Sequence, residues 1–101
     1  MRMILHAKIP NSAFNAAVKD RSVGKKIQRI LEESKPEAVY FTEYDGCRGA
    51  MLIIDVAEPS QVPKFAEPWF LQFDAKCEFH IAMTPEDLAK AELDRLGKKW
   101  A

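Results

Sequence analysis

Asp45-Gly46 stands between two runs rich in β-branched and aromatic residues, positions 39–44 and 51–56. An Asp-Gly pair in that setting predicts a two-residue hairpin, because a type I′ turn needs positive φ at both central residues. Pairing Tyr44 with Cys47 sets Glu43 opposite Arg48, Thr42 opposite Gly49 and Tyr40 opposite Met51. Glu43 and Arg48 then face each other as a favourable opposite-charge pair. The middle of the chain is therefore an antiparallel ribbon, and the flanking segments must extend it or cover it.

Positions 2–9 extend it. Met3, Leu5, Ala7 and Ile9 alternate with Ile4, His6 and Lys8, the period of a strand with one apolar face. Pro10 ends the run, and Asn11 or Ser12 is expected to cap a helix by accepting a backbone N–H. Phe14, Ala17 and Val18 follow at helical spacing, the phase slips over positions 20–24, and a second stripe runs through Ile27, Ile30 and Leu31. Gly24 is costly inside a helix and Ser22 can start a new one, so the segment predicts a short helix, an irregular joint and a longer helix ending before Pro36. Pro59-Ser60 opens a helix carrying Phe65, Trp69, Phe70 and Phe73. Pro68 lacks an N–H and clashes with the preceding turn, which predicts a break near Glu67. Positions 76–82 alternate again, with Cys77, Phe79 and Ile81 against Lys76, Glu78, His80 and Ala82. Thr84-Pro85-Glu86-Asp87 combines cap, first-turn proline and acidic first turn. A last helix through Leu88, Leu93 and Leu96 is expected to end at Gly97, before Lys98-Lys99.

The order β-α-β-β-α-β-α, without repeat or linker, predicts an α+β chain. Right-handed crossovers make it a ferredoxin-like β-α-β-β-α-β with an extra C-terminal helix, its four-stranded antiparallel sheet in order 4-1-3-2. A length of 101 residues fits a single domain over 1–101. Fifteen Lys plus Arg balance fifteen Asp plus Glu, leaving no net field to hold a polyanion. An RNA-recognition domain shares the strand order, but here positions 47–54 of the third strand offer no aromatic for base stacking. No nucleic-acid partner is expected. The N-terminal apolar stretch is interrupted by His6 and Lys8 and lacks a signal peptide's core, and no run approaches bilayer length, so no membrane is expected either. Cys47 and Cys77 are too few for a disulfide framework, which predicts a cytoplasmic protein with two reduced thiols.

With helices on one face of the sheet, Met3, Leu5, Ala7, Val39, Phe41, Ala50, Leu52, Ile54, Phe79 and Ile81 belong beneath them. The other face carries Ile4, His6, Lys8, Tyr40, Thr42, Tyr44, Met51, Ile53, Asp55, Glu78 and His80. That mixture suits a ligand-lined cavity or a partly polar interface, and a second subunit is its economical cover. His6 and His80 are the candidate catalytic residues, as general acid–base groups, and Tyr40, Tyr44, Glu78, Lys8 and Met51 the candidate ligand-binding ones. The plainer reading makes the histidines hydrogen-bonded packing residues and the tyrosines space-fillers between two sheets. No close-spaced ligand pair supports a metal, and no cofactor is expected. Cys47, beside Arg48, is either an activated thiol or an inert hairpin cysteine. Trp69 and Phe70 form a lid or, more simply, anchor their helix.

Positions 35–43, Gly46, Arg48-Gly49, Glu67-Pro68-Trp69-Phe70 and Met83-Thr84-Pro85-Glu86-Asp87-Leu88 together resemble a small family of uncharacterised bacterial proteins. That family resembles the dimeric α/β-barrel superfamily, in which two ferredoxin-like subunits pack sheet to sheet. The resemblance implies a homodimer. It also implies a small-molecule ligand held between sheet and helices or at the subunit boundary, in a protein akin to cofactor-independent monooxygenases, haem-degrading enzymes, muconolactone isomerases or stress-response proteins. None of their catalytic residues carries over by position, and fold analogy implies a pocket rather than a chemistry. A non-catalytic dimeric module is the alternative, and a helical tail over 88–100 can also swap onto the partner.

Overall fold

The side chains that face the helices from the two central strands are almost wholly withdrawn from water: Leu5, Ala7 and Ile9 from one, Ala50, Leu52 and Ile54 from the other. The computed structural model describes residues 1–101. Its elements are β1 (Arg2–Ile9), α1 (Asn11–Lys19), α2 (Val23–Ser34), β2 (Ala38–Tyr44), β3 (Cys47–Asp55), a 3-10 turn (Pro59–Gln61), α3 (Val62–Phe73), β4 (Lys76–Ile81), α4 (Pro85–Lys90) and α5 (Leu93–Trp100). The four strands form one sheet in the order β2-β3-β1-β4, every pair antiparallel. Ile30 of α2 and Phe65, Trp69 and Phe73 of α3 close the core from the helical side.

The hairpin has the expected register, Tyr44 on Cys47 through Tyr40 on Met51. Asp45 and Gly46 take φ of 52° and 77°, the left-handed pair that a type I′ turn requires. Glu43 and Arg48 are register partners but form no ion pair. The Glu43 carboxylate accepts the Gly46 N–H at 2.8 Å, while the Arg48 guanidinium donates to Asn15 Oδ1 at 2.6 Å and lies 4.5 Å above the Phe14 ring. Both side chains point to the helical side, where α1 offers Arg48 the Asn15 amide oxygen and the Phe14 ring.

Several local expectations need correction. Pro10, not Asn11 or Ser12, precedes α1, and no side chain caps it; the Asn11 amide instead donates to the Gly46 carbonyl at 3.2 Å, tying the helix start to the hairpin. Ser22 precedes α2 without capping it, because the Asp20 carboxylate accepts the Ser22 N–H at 2.8 Å and turns the joint, with Arg21 at a φ of 67°. The Ser22 hydroxyl, with this N–H bond behind it, holds the Asp20 carboxyl below its usual range.

Pro68 does not break α3, which is continuous from Val62 to Phe73. A mid-helix proline costs about 3 kcal/mol, whereas burying Phe65, Trp69 and Phe73 on one stripe favours the unbroken helix by about 1.5–3 kcal/mol for each side chain. The stripe wins. Trp69 is fully buried and anchors the helix, while Phe70 stays partly exposed, so neither forms a lid over the far side of the sheet. Phe41 and Ile81, on the two edge strands, sit on the helical side but remain 54% and 62% exposed, whereas Val39, Cys77 and Phe79 of the same strands pack against the core.

The C-terminal segment is not one helix. It starts as expected, with Thr84 Oγ1 accepting the Asp87 N–H at 3.1 Å and Asp87 returning the bond to the Thr84 N–H at 3.0 Å, an exchange that lowers the Asp87 pKa. Glu92, at a φ of 52°, then separates α4 from α5, and Gly97 lies inside α5. Both helices are exposed throughout, with Leu88, Leu93, Leu96 and Trp100 between 43% and 77% accessible. The radius of gyration is 16.9 Å, against about 13 Å for a compact chain of this length. The segment is an arm. Ending the chain after Ala82 is accordingly expected to move the thermal midpoint by less than about 3 °C, since almost no buried apolar surface is lost; a larger drop by calorimetry would mean the arm packs somewhere.

Candidate functional site

Cross-strand register lays the face away from the helices out in rows. His80, Ile4, Ile53 and Ala38 form one; Glu78, His6, Met51 and Tyr40 the next; Lys76, Lys8, Gly49 and Thr42 a third. Tyr44 begins one row further on, opposite Cys47, yet its ring does not stay there. It lies across β3 at Gly49, where any added Cβ would meet two ring carbons and sit 3.1 Å from the Ala7 carbonyl. Through that gap the phenol reaches β1, and Tyr44 Oη sits 2.8 Å from His6 Nδ1.

The chain of contacts continues. His6 and His80 meet edge to face with centroids 5.4 Å apart, and His80 Nε2 lies 3.2 Å from Glu78 Oε2. Lys8 bonds Asp45 Oδ2 at 3.1 Å, and that bond together with the Asp45 charge raises the Lys8 pKa. Burial, aided by the negative charge of Glu78, raises the Tyr44 pKa. The phenol is therefore protonated at neutral pH. It can donate to an unprotonated Nδ1, or accept Nδ1–H and turn its own proton outward; the second arrangement leaves Nε2 of His6 with a free lone pair.

His6, Lys8, Tyr44, Asp45, Lys76 and Glu78 line a cavity of about 250 Å³. Larger hollows lie elsewhere: about 610 Å³ along α4 and α5, about 490 Å³ between α2 and α3, and about 470 Å³ beside Phe14, Phe41 and Arg48. None of the three is lined by a histidine, cysteine or tyrosine, so the smaller cavity is the one that brings imidazole and phenol together. No three His, Cys, Asp or Glu side chains converge as a metal-ligand set.

Of the residues singled out from sequence, His6, Lys8, Tyr44 and Glu78 meet around the cavity, with His80 beside them. Met51 neighbours His6 without lining it, and Tyr40 stands at the sheet edge, 61% exposed. Asp45 and Lys76 are the lining residues that sequence reasoning missed. Lys76 was signalled by its alternation with Glu78 and His80; nothing local marks Asp45 as the partner of Lys8.

Both cysteines are free. Arg48 is turned to the opposite side of the strand from Cys47, toward Phe14. Cys77 faces the core, and burial pushes its thiol up to about 11 from 9.0. At pH 8 its alkylation is expected to be about 100-fold slower than that of an ordinary thiol. The raised value favours the folded state below the unfolded pKa of 9.0, and this contribution is lost as pH rises through about 11. Mass spectrometry of a timed iodoacetamide reaction reads the rate; rapid labelling of Cys77 in the folded protein would contradict the burial.

No protein-family model matches the chain, and no curated protein sequence matches it. The resemblance noted from the sequence therefore rests on its motifs and on the arrangement of the sheet.

Proposed function

We propose that the protein binds a small molecule on the sheet face at the Tyr44–His6–His80–Glu78 array, as a ferredoxin-like subunit of a dimeric α/β barrel. One observation carries the reading: the Tyr44 ring is laid through the Gly49 gap so that its hydroxyl meets His6 at 2.8 Å. A glycine in a central strand weakens that strand, and here its effect is to let a phenol and an imidazole from strands two apart share a cavity.

In the enzymatic form of this reading, His6 donates Nδ1–H to the Tyr44 oxygen. Nε2 then takes a proton from the ligand and returns it at a neighbouring position, while the phenol O–H bonds the ligand oxygen on which negative charge develops. This is isomerase-like chemistry that needs no cofactor. A fragment screen followed by amide and imidazole NMR tests the site. Shifts should cluster at His6, Lys8, Tyr44 and Glu78; hits gathered in the hollow between α2 and α3 would sink it.

A second copy of the chain is the proposed cover for the patch of Ile4, Ile53 and Met51, half-buried apolar side chains at the centre of the face. Light scattering is expected to give twice 11.5 kDa, and Ile53→Lys to give a monomer. A wild-type monomer would refute the dimer. The same apolar patch favours the second reading, a non-catalytic dimeric module. Under that reading His6→Ala weakens association and no fragment distinguishes it from wild type.

A further inference from the structure

Lys76 and Lys8 are direct cross-strand partners on the open face of β4 and β1. Like charges set opposite each other in an antiparallel pair are destabilising, so this is a place where the local sequence works against the fold. Lys8 is compensated by Asp45, 3.1 Å away. Glu78, the other carboxylate of the cavity, is engaged by His80 at 3.2 Å. Lys76 has neither an ion pair nor a side-chain hydrogen bond, and is the cavity's one cation without a partner. The free ammonium of Lys76 lies a short distance along β4 and β1 from the His6–Tyr44 pair.

We infer that this cavity takes a small monoanionic acid, whose carboxylate is held by Lys76 while the rest of the molecule lies against Tyr44 and His6. The inference rests on the sheet-face reading above and names the ligand class for that site. A single unpaired ammonium suits one negative charge; a dianion would need a second free cation, and Lys8 is already committed to Asp45. Seating the anion would also relieve the repulsion between the two lysines. The volume of about 250 Å³ lies below the range of drug-sized sites, which limits the ligand to metabolite size. The Tyr44 and His6 rings, tilted by 47° with centroids 5.4 Å apart, offer aromatic surface that favours a conjugated acid. Asp45 and Glu78 on the rim repel a second carboxylate, so the same charges that engage Lys8 and His80 select against diacids.

Benzoate and its neutral amide, benzamide, are matched probes. NMR titration of the full chain, reading His6, Tyr44 and Lys76, is expected to show both probes saturating the same resonances, with benzoate about tenfold tighter at low salt. Lys76→Gln should abolish that preference and Lys76→Arg retain it; Lys76 is exposed, so neither change endangers folding. Equal binding of the two probes, or a benzoate preference that survives Lys76→Gln, overturns the anion site and leaves the sheet-face reading standing. If neither probe moves His6 or Tyr44, both fall.

Discussion

Gly49→Ala is expected to lower stability by about 1–3 kcal/mol, seen as a lower urea midpoint with an unchanged slope. The added methyl would occupy the place of the Tyr44 ring, with the Ala7 carbonyl close on its other side. Either the ring leaves β3, losing its bond to His6, or the central strands shift. A double-mutant cycle makes the cause visible. Tyr44→Ala alone removes the ring and the 2.8 Å bond. With that ring gone, Gly49→Ala should become neutral or stabilising, because alanine suits a strand better than glycine. If the glycine substitution costs the same with and without the tyrosine, the packing of Tyr44 over Gly49 is not what keeps glycine there. In the same variants, the His6 imidazole resonances should move together whenever the phenol is displaced or removed.

Trp69→Ala is expected to cost about 3–5 kcal/mol, most of the margin of a domain whose total stability is of order 5–15 kcal/mol. The indole is the largest fully buried side chain, packed on Phe73 with ring centroids 6.0 Å apart, and α3 has no other anchor of comparable size at the middle of its buried stripe. Trp69→Phe should behave very differently. The indole Nε1 is buried without an acceptor, and a buried donor left unpaired costs about 1–3 kcal/mol. Phenylalanine removes that cost while leaving a small void, so the net change should stay within about 1 kcal/mol. Chemical denaturation of both variants checks the pair of values. A Trp69→Phe variant as unstable as Trp69→Ala would mean that shape alone, not the missing hydrogen bond, sets the energetics.

Much of this architecture is legible because it is encoded within a few residues. Asp45-Gly46 determines the turn, the turn determines the register of β2 against β3, and period-two alternation assigns the faces of all four strands. His6, Glu78 and His80 could be placed together because the order of the strands follows from the order of the elements. What stayed hidden is non-local or is a matter of competing costs. The leaning of Tyr44 over Gly49 depends on a gap that exists only once β3 is flanked by β1. The Lys8–Asp45 bond joins residues 37 positions apart. Pro68 argues locally for a break, and only the packed stripe of Phe65, Trp69 and Phe73 overrules it. Likewise, no breaker residue announces the joint at Glu92, whereas Gly97, the apparent stop, is absorbed into α5.

The arm has a hydrodynamic consequence. With principal extents of 59 × 28 × 20 Å, each chain sweeps out a volume well beyond that of a sphere of 11.5 kDa. A monomer will leave a gel-filtration column early, close to where a compact dimer is expected. Friction, not mass, sets that position, so a chain ending after Ala82 should elute later than its loss of residues alone would give.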